Sequence, residues 1–215
     1  MSRSLFHAGL TAWLILAAFV SAAAALAAEP VIVVLGDSLA AGLGLPQDQS
    51  FTAQLEKALR ARGHEVKVVN AGVSGDTAAN GLARLDWAVP PEADAVIVEL
   101  GANDALQGMP PQATKQALEE IIKRLQAKNL PVLLAGMEAP RNMGKEYVEE
   151  FGAVYRDLAA RYDLVFYPFF LEGLAGDASL FQGDGLHPNA KGVTKIVEGI
   201  LPKVDELLAK VQAKQ

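Results

Sequence analysis

The stretch VIVVLGDSLA, residues 31–40, decides the fold. Val31 to Leu35 is an uncharged run, mostly β-branched, that passes straight into Gly36-Asp37-Ser38. Such short apolar runs, stopped by a turn-forming residue, read as strands covered on both faces. Four similar runs follow: Val66 to Val69, Ala95 to Leu100, Val132 to Ala135 and Leu164 to Tyr167. Between them the apolar residues switch to helical spacing. Phe51, Leu55, Ala58 and Leu59 form a stripe behind Ser50, a candidate N-cap. Leu118, Ile121, Ile122 and Leu125 form a second stripe, and Tyr147, Phe151, Val154 and Leu158 a third. The last runs from Val193 through Ile196, Ile200 and Val204 to Leu208. Thr77 to Trp87 is a weaker helix, opened by Asp76 or Thr77. Strands separated by helices imply right-handed crossovers and a parallel, doubly wound α/β sheet. No internal repeat, low-complexity tract or linker interrupts the pattern, so one domain is expected from residue 29 to residue 215.

The 215 residues include 51% hydrophobic side chains, 19 Lys+Arg against 25 Asp+Glu, a net charge of -6 and no cysteine. An acidic chain with a pI near 5.1 is ill suited to neutralising phosphates, so nucleic acid is not an expected partner. The absence of cysteine removes disulfides, thiolate metal sites and a Cys nucleophile together. The hydrophobic excess sits at the start. Arg3 precedes an uncharged run from Ala8 to Val20, and SAAAALAA then leads to Glu29-Pro30. That is the layout of a secretory signal peptide, 1–28, with cleavage expected after Ala27 or Ala28. The competing reading is a retained anchor, since Ala8 to Ala28 is long enough to span a bilayer. Its second half is nearly all alanine, however, and no positive stop follows it. Export to the periplasm or medium, with no stable membrane anchor afterwards, is the expectation.

In open α/β sheets, sites gather beyond the carboxyl ends of the strands. Three polar, glycine-bearing segments fall there: Gly36 to Ala40, Asn70 to Thr77 and Gly101 to Asp104. A fourth, Asp184-Gly185-Leu186-His187-Pro188, ends a long connection from Pro168 to Leu186. Connections of that length are usually functional, and this one is expected to carry His187 toward Ser38. Serine needs a base to become a nucleophile, and histidine is suited to that task near neutral pH. Asp184, three residues earlier, is placed to orient the imidazole, and Pro188 suits the first helical position. A triad of Ser38, His187 and Asp184 follows. Candidate donors for a developing oxyanion are the backbone N–H groups of Ser38 and Gly75 and the side-chain amide of Asn103. Loss of one such donor costs roughly 3 to 4 kcal/mol in the transition state.

The segments GDSLA (36–40), NAGVSGDT (70–77), GAND (101–104) and DGLHP (184–188) resemble the four blocks of the SGNH hydrolases, also called GDSL esterases/lipases. Their order and wording are most similar to the bacterial exported arylesterase and multifunctional thioesterase/lysophospholipase group. The resemblance implies a three-layer α/β/α sandwich with a five-stranded parallel sheet in the flavodoxin-like order 2-1-3-4-5. It implies Ser38 as nucleophile and first oxyanion donor, Gly75 and Asn103 as the other donors, His187 as base and Asp184 as its orienter. It implies hydrolysis of aryl and acyl esters, acyl thioesters and lysophospholipids, by a monomer acting on small molecules without metal or cofactor. One departure is Ala102, where relatives often carry a second glycine; it stiffens the loop that holds Asn103.

Several residues have structural readings. Asp37 is expected to hold its turn, Gly72 to make a turn, Asp76 with Thr77 to cap a helix, and Asn70 and Asp104 to brace their loops. No G-x-S-x-G elbow, dinucleotide loop, P-loop or H-E-x-x-H zinc motif is present. Leu106, Met109, Met137, Met143, Phe169, Phe170, Leu171 and Phe181 are candidates to line an acyl or aryl groove. A carbohydrate O-deacetylase of the same superfamily and a non-catalytic lipid- or nucleotide-binding module are the alternatives.

Overall fold

A computed structural model describes residues 29–214. The expected signal segment, 1–28, lies outside the described residues. Among them five strands form one parallel sheet: β1 (Val31–Gly36), β2 (Lys67–Gly72), β3 (Ala95–Glu99), β4 (Val132–Ala135) and β5 (Val165–Tyr167). Their order is β2-β1-β3-β4-β5. The central strand is therefore β1, whose Val33 faces Val69 on one side and Val96 on the other. The chain reverses its direction of travel across the sheet there, leaving a crevice above the carboxyl end of β1.

The helices are α1 (Ser38–Ala41), α2 (Phe51–Ala61), α3 (Ala78–Ala83), α4 (Leu85–Ala88), α5 (Ala102–Leu106), α6 (Pro111–Ala127), α7 (Lys145–Arg161) and α8 (Ala190–Gln212). α2 packs on α8, while α6 packs on both α3 and α7. Right-handed crossovers that leave β1 in opposite directions put these two groups on opposite faces. The result is a three-layer α/β/α sandwich. Ile32 to Leu35 and Ala95 to Val98 are completely buried between the layers.

Four details differ from the sequence reading. β2 is an edge strand, only partly buried along its length, and it runs on through Asn70 to Gly72. It is thus not covered on both faces, despite its valines. The weak helix at Thr77 to Trp87 is two short helices that meet at Arg84. Thr77 is its N-cap, in a capping box with Asn80, whereas Asp76 is drawn instead into an ion pair. Gly72 lies in strand conformation and makes no turn. Its need for glycine is steric, because a Cβ there would sit 2.4 Å from the Ala41 backbone nitrogen. Finally, Pro188 stands before the helix rather than inside it, since Asn189 caps α8 through the N–H groups of Lys191 and Gly192.

Candidate active site

Ser38 is the first residue of α1, directly beyond the central strand. Asp37 caps that helix by accepting the Leu39 N–H at 3.0 Å, which fixes the turn as expected. The Ser38 hydroxyl is thereby held at the crevice floor, nearly buried.

The long connection from β5 is anchored before it reaches Ser38. Phe170 is completely buried and meets Phe51 of α2 edge to face at 4.9 Å, so it belongs to the core and not to a groove. Farther on, Phe181 pairs with Pro188 in an antiparallel bridge, and Gln182 N–H donates to the His187 carbonyl at 2.8 Å. A tight hairpin therefore presents Asp184 to His187 at its tip, where Gly185 takes a positive φ of 68°. The Gln182 side chain spans from this hairpin to the Leu43 carbonyl at 2.8 Å, beside α1. Gln182 was invisible in the sequence, because a lone glutamine in a loop carries no pattern.

The structure brings all three expected triad residues together. His187 Nε2 is 2.9 Å from Ser38 Oγ, and His187 Nδ1 is 2.7 Å from Asp184 Oδ2. The other Asp184 oxygen accepts the backbone N–H groups of His187 and Leu186 at 3.0 and 2.9 Å. These bonds, the His187 backbone first and its ring second, hold the Asp184 carboxyl well below the usual carboxylate range. Asp184 is thus a fixed anion.

Of the expected oxyanion donors, the backbone N–H groups of Ser38 and Gly75 have no acceptor among the described residues. Gly75 has a φ of +88° and open space around its Cβ position, so what demands glycine there is backbone conformation. Asn103 is differently engaged. Its amide nitrogen donates to the Asp76 carbonyl at 3.0 Å and to Asp37 Oδ2 at 3.1 Å. The amide ties together the loops after β1, β2 and β3, and a bound oxygen would share or displace one of those acceptors. Asp104 braces the same region, accepting from Ala78 N–H at 2.9 Å and from the Thr114 hydroxyl at 3.0 Å. Asn70 accepts the Gly72 N–H at 2.9 Å and stays structural.

Two buried groups under the site escaped the sequence reading. Arg84 donates to Asp76, to the Ala71 carbonyl and to the Gly36 carbonyl, clamping the carboxyl ends of β1 and β2. Glu99, the last residue of β3, is fully buried, and its Oε2 accepts the Asp37 N–H at 3.3 Å. Its Oε1 has no hydrogen-bond partner among the described residues. Burial pushes the Glu99 carboxyl well above its ordinary range, with the Asp37 charge adding to the effect.

A cavity of about 780 Å³ opens beside Ser38 and His187. Leu106, Met137, Phe169 and Leu171 line it as expected, together with Leu186. Met109 and Phe181 do not. The Met109 carbonyl accepts the Tyr147 hydroxyl of α7 at 2.7 Å, and Phe181, bridged to Pro188, lines a separate surface hollow with Asp177 and Gln182. Met143 is also outside the lining. Among the described residues, no three His, Asp or Glu side chains converge as a metal cluster.

The chain matches the GDSL-like Lipase/Acylhydrolase family over residues 34–195. It is 41% identical to Esterase TesA of Pseudomonas aeruginosa over 85% of this chain and 91% of that one. It is 36% identical to Thioesterase 1/protease 1/lysophospholipase L1 of Escherichia coli, over 85% of this chain and 86% of that one. The crystal structure of AlinE4, an SGNH-hydrolase family esterase, superimposes with a TM-score of 0.71 at 44% identity, covering 84% of this chain and 97% of that one.

Proposed function

Because the chain belongs to the GDSL-like Lipase/Acylhydrolase family and is a serine esterase, we propose that Ser38, His187 and Asp184 carry its reaction and that Ser38 forms the acyl-enzyme. The observation that carries this reading is the pair of contacts made by one imidazole, 2.9 Å to Ser38 Oγ and 2.7 Å to Asp184 Oδ2.

As Ser38 Oγ attacks the ester carbonyl, His187 Nε2 takes the hydroxyl proton. Asp184 keeps Nδ1 protonated and stabilises the imidazolium that forms. Charge moving onto the carbonyl oxygen meets the N–H groups of Ser38 and Gly75 and the Asn103 amide. The imidazolium then protonates the departing alcohol or thiol, leaving acyl-Ser38. A water molecule, deprotonated by His187, releases the acid and restores the serine. The cavity at Ser38 has walls of leucine, methionine and phenylalanine, which suits aryl and acyl chains of esters, thioesters and lysophospholipids.

A fluorophosphonate is expected to label Ser38. A series of p-nitrophenyl esters of rising acyl length, run beside acyl-CoA, lysophospholipid and acetyl-xylan, should show turnover of the acyl substrates and none by Ser38→Ala. Undiminished turnover by that variant would remove Ser38 from the mechanism, and preference for acetyl-xylan would make the protein a carbohydrate deacetylase. We also propose that residues 1–28 direct export and are removed. Protein recovered from the periplasm or medium should begin at Ala28 or Glu29, and an intact Met1 there would refute the cleavage.

A further inference from the structure

Six large hydrophobic side chains are markedly exposed among the described residues: Leu43, Val73, Leu106, Met143, Leu186 and Trp87. Exposed apolar residues scattered singly need no explanation, but five of these six share one end of the molecule. Each lies in a different one of the five connections that leave the carboxyl ends of the strands: Leu43 after β1, Val73 after β2, Leu106 at the end of α5 after β3, Met143 after β4 and Leu186 after β5.

Local bonds hold two of them beside the strand end that carries Ser38. Leu43 N–H donates to the Ser38 carbonyl at 3.1 Å, and Val73 N–H to the Gly36 carbonyl at 3.0 Å. Met143 lies beside Gly108 on the loop of Leu106, and both Leu106 and Leu186 line the cavity itself. Leu106 and Leu186 thus join this apolar edge to the apolar interior. Trp87 is on α4, outside these five connections, where the Arg84 guanidinium lies 5.9 Å from its ring centroid.

We propose that this rim seats the mouth of the active site on a zwitterionic lipid surface, from which an acyl chain passes directly into the cavity. The proposal rests on the esterase reading and adds where the substrate comes from. A protein partner covering all five connections would cover the cavity at Ser38, whereas a lipid surface supplies substrate through the face that it covers. Charge selects the kind of surface. Arg141 is the one Lys or Arg on these loops, against exposed carboxylates that include Asp48, Glu138, Glu172 and Asp184. Anionic lipid attracts basic segments, so this rim is repelled by it, while outward-facing cationic headgroups of a zwitterionic layer are tolerated. Shallow burial of apolar side chains then supplies the attraction.

The test uses the full protein as Ser38→Ala, with vesicles of non-hydrolysable diether phosphatidylcholine or diether phosphatidylglycerol, followed by sedimentation. Binding to phosphatidylcholine and at least tenfold weaker binding to phosphatidylglycerol is expected. The triple substitution Leu43→Ser, Val73→Ser and Met143→Ser should weaken phosphatidylcholine partitioning at least tenfold, and Trp87→Ser should not. Introduced with Ser38 intact, the same triple substitution should leave turnover of monomeric p-nitrophenyl acetate within twofold of the parent, which also shows that it folds. No partitioning of the parent, equal partitioning of the triple variant, equal loss in Trp87→Ser, or stronger binding to phosphatidylglycerol each overturns the proposal. Loss of p-nitrophenyl acetate turnover by the unsubstituted protein would instead overturn the esterase reading.

Discussion

The Asn103 amide nitrogen lies 3.1 Å from Asp37 Oδ2, so the candidate oxyanion donor and the residue that caps the serine helix are directly bonded. Asn103→Ala removes both the donor and this tie. A loss of about 10²–10³-fold in kcat, roughly 3 to 4 kcal/mol, is expected with little change in KM. Asn103→Asp should be at least as slow and less stable, because it sets a carboxylate against Asp37. Steady-state kinetics on a soluble p-nitrophenyl ester decide the matter, and a rate within twofold of the parent would exclude Asn103 from the oxyanion donors.

Asp37 itself carries a pH signature. Burial pushes its carboxyl from an ordinary 3.8 up to about 6, opposed by the Leu39 N–H and then by the charge of His187. Between these values the folded chain binds a proton that the unfolded chain does not. This group's contribution to stability is therefore fully present below about pH 4 and is lost as pH rises through about 6. Asp37→Asn cannot titrate. The difference in unfolding free energy between parent and variant should shift in the parent's favour by about 2.5 kcal/mol as pH falls from 7 to 4. Asp184 titrates in the opposite sense but is common to both proteins and cancels. Urea unfolding across that range reads the shift, and a flat difference would contradict it.

Two glycines separate steric from conformational need. A Cβ on Gly72 would press on the Ala41 nitrogen at 2.4 Å and the Asp37 carbonyl at 2.8 Å, both backbone atoms that cannot rotate away. Gly63 has a φ of +87° but open space around it. Gly72→Ala is expected to cost more than about 3 kcal/mol and to displace α1. Gly63→Ala should cost about 1 kcal/mol, the left-handed penalty alone. Thermal melts of the two variants test the ordering, and equal losses would refute it.

Much of this architecture was legible because it rests on periodic or local signals. The β-branched runs from Val31 and Ala95 could bury themselves only inside a two-sided sheet, and Ser50 announced α2 by its position. Asp184 and His187 were readable together because only Gly185 and Leu186 separate them. Ser38 joined them by its place after the first strand and by family resemblance. What stayed hidden depends on distant neighbours. Glu99 looks like the polar end of an apolar run until the sheet places it under Asp37. Met109 and Phe181 have the chemistry of a groove lining but do not line the cavity, and their backbones are tied to Tyr147 and Pro188, 38 and 7 residues away. β2 shows the same limit in reverse, since valines alone do not reveal which strand lies at an edge.

Arg84 is the strongest instance of such a long-range device, and it yields the last prediction. It is only 8% exposed and offers three donors in a fixed fork: Nε to Asp76 Oδ2 at 2.5 Å, Nη1 to the Ala71 carbonyl at 2.8 Å and Nη2 to the Gly36 carbonyl at 2.9 Å. The fork joins the strand ends that precede Ser38 and Gly75, and Asp76 in turn offers its carbonyl to Asn103. Removing one member of a buried pair leaves the other charged and unpaired, so Arg84→Met and Asp76→Leu should each cost about 3 to 5 kcal/mol. Their combination should cost less than the sum by roughly 0.5 to 3 kcal/mol, since neither charge is then stranded. Arg84→Lys separates charge from shape. A single ammonium keeps the charge but cannot span three acceptors in a plane, so this variant should retain part of the stability while kcat falls through the loosened Asn103 contact. Strict additivity in the double variant, or parental kcat in Arg84→Lys, would show that the fork does not position the site.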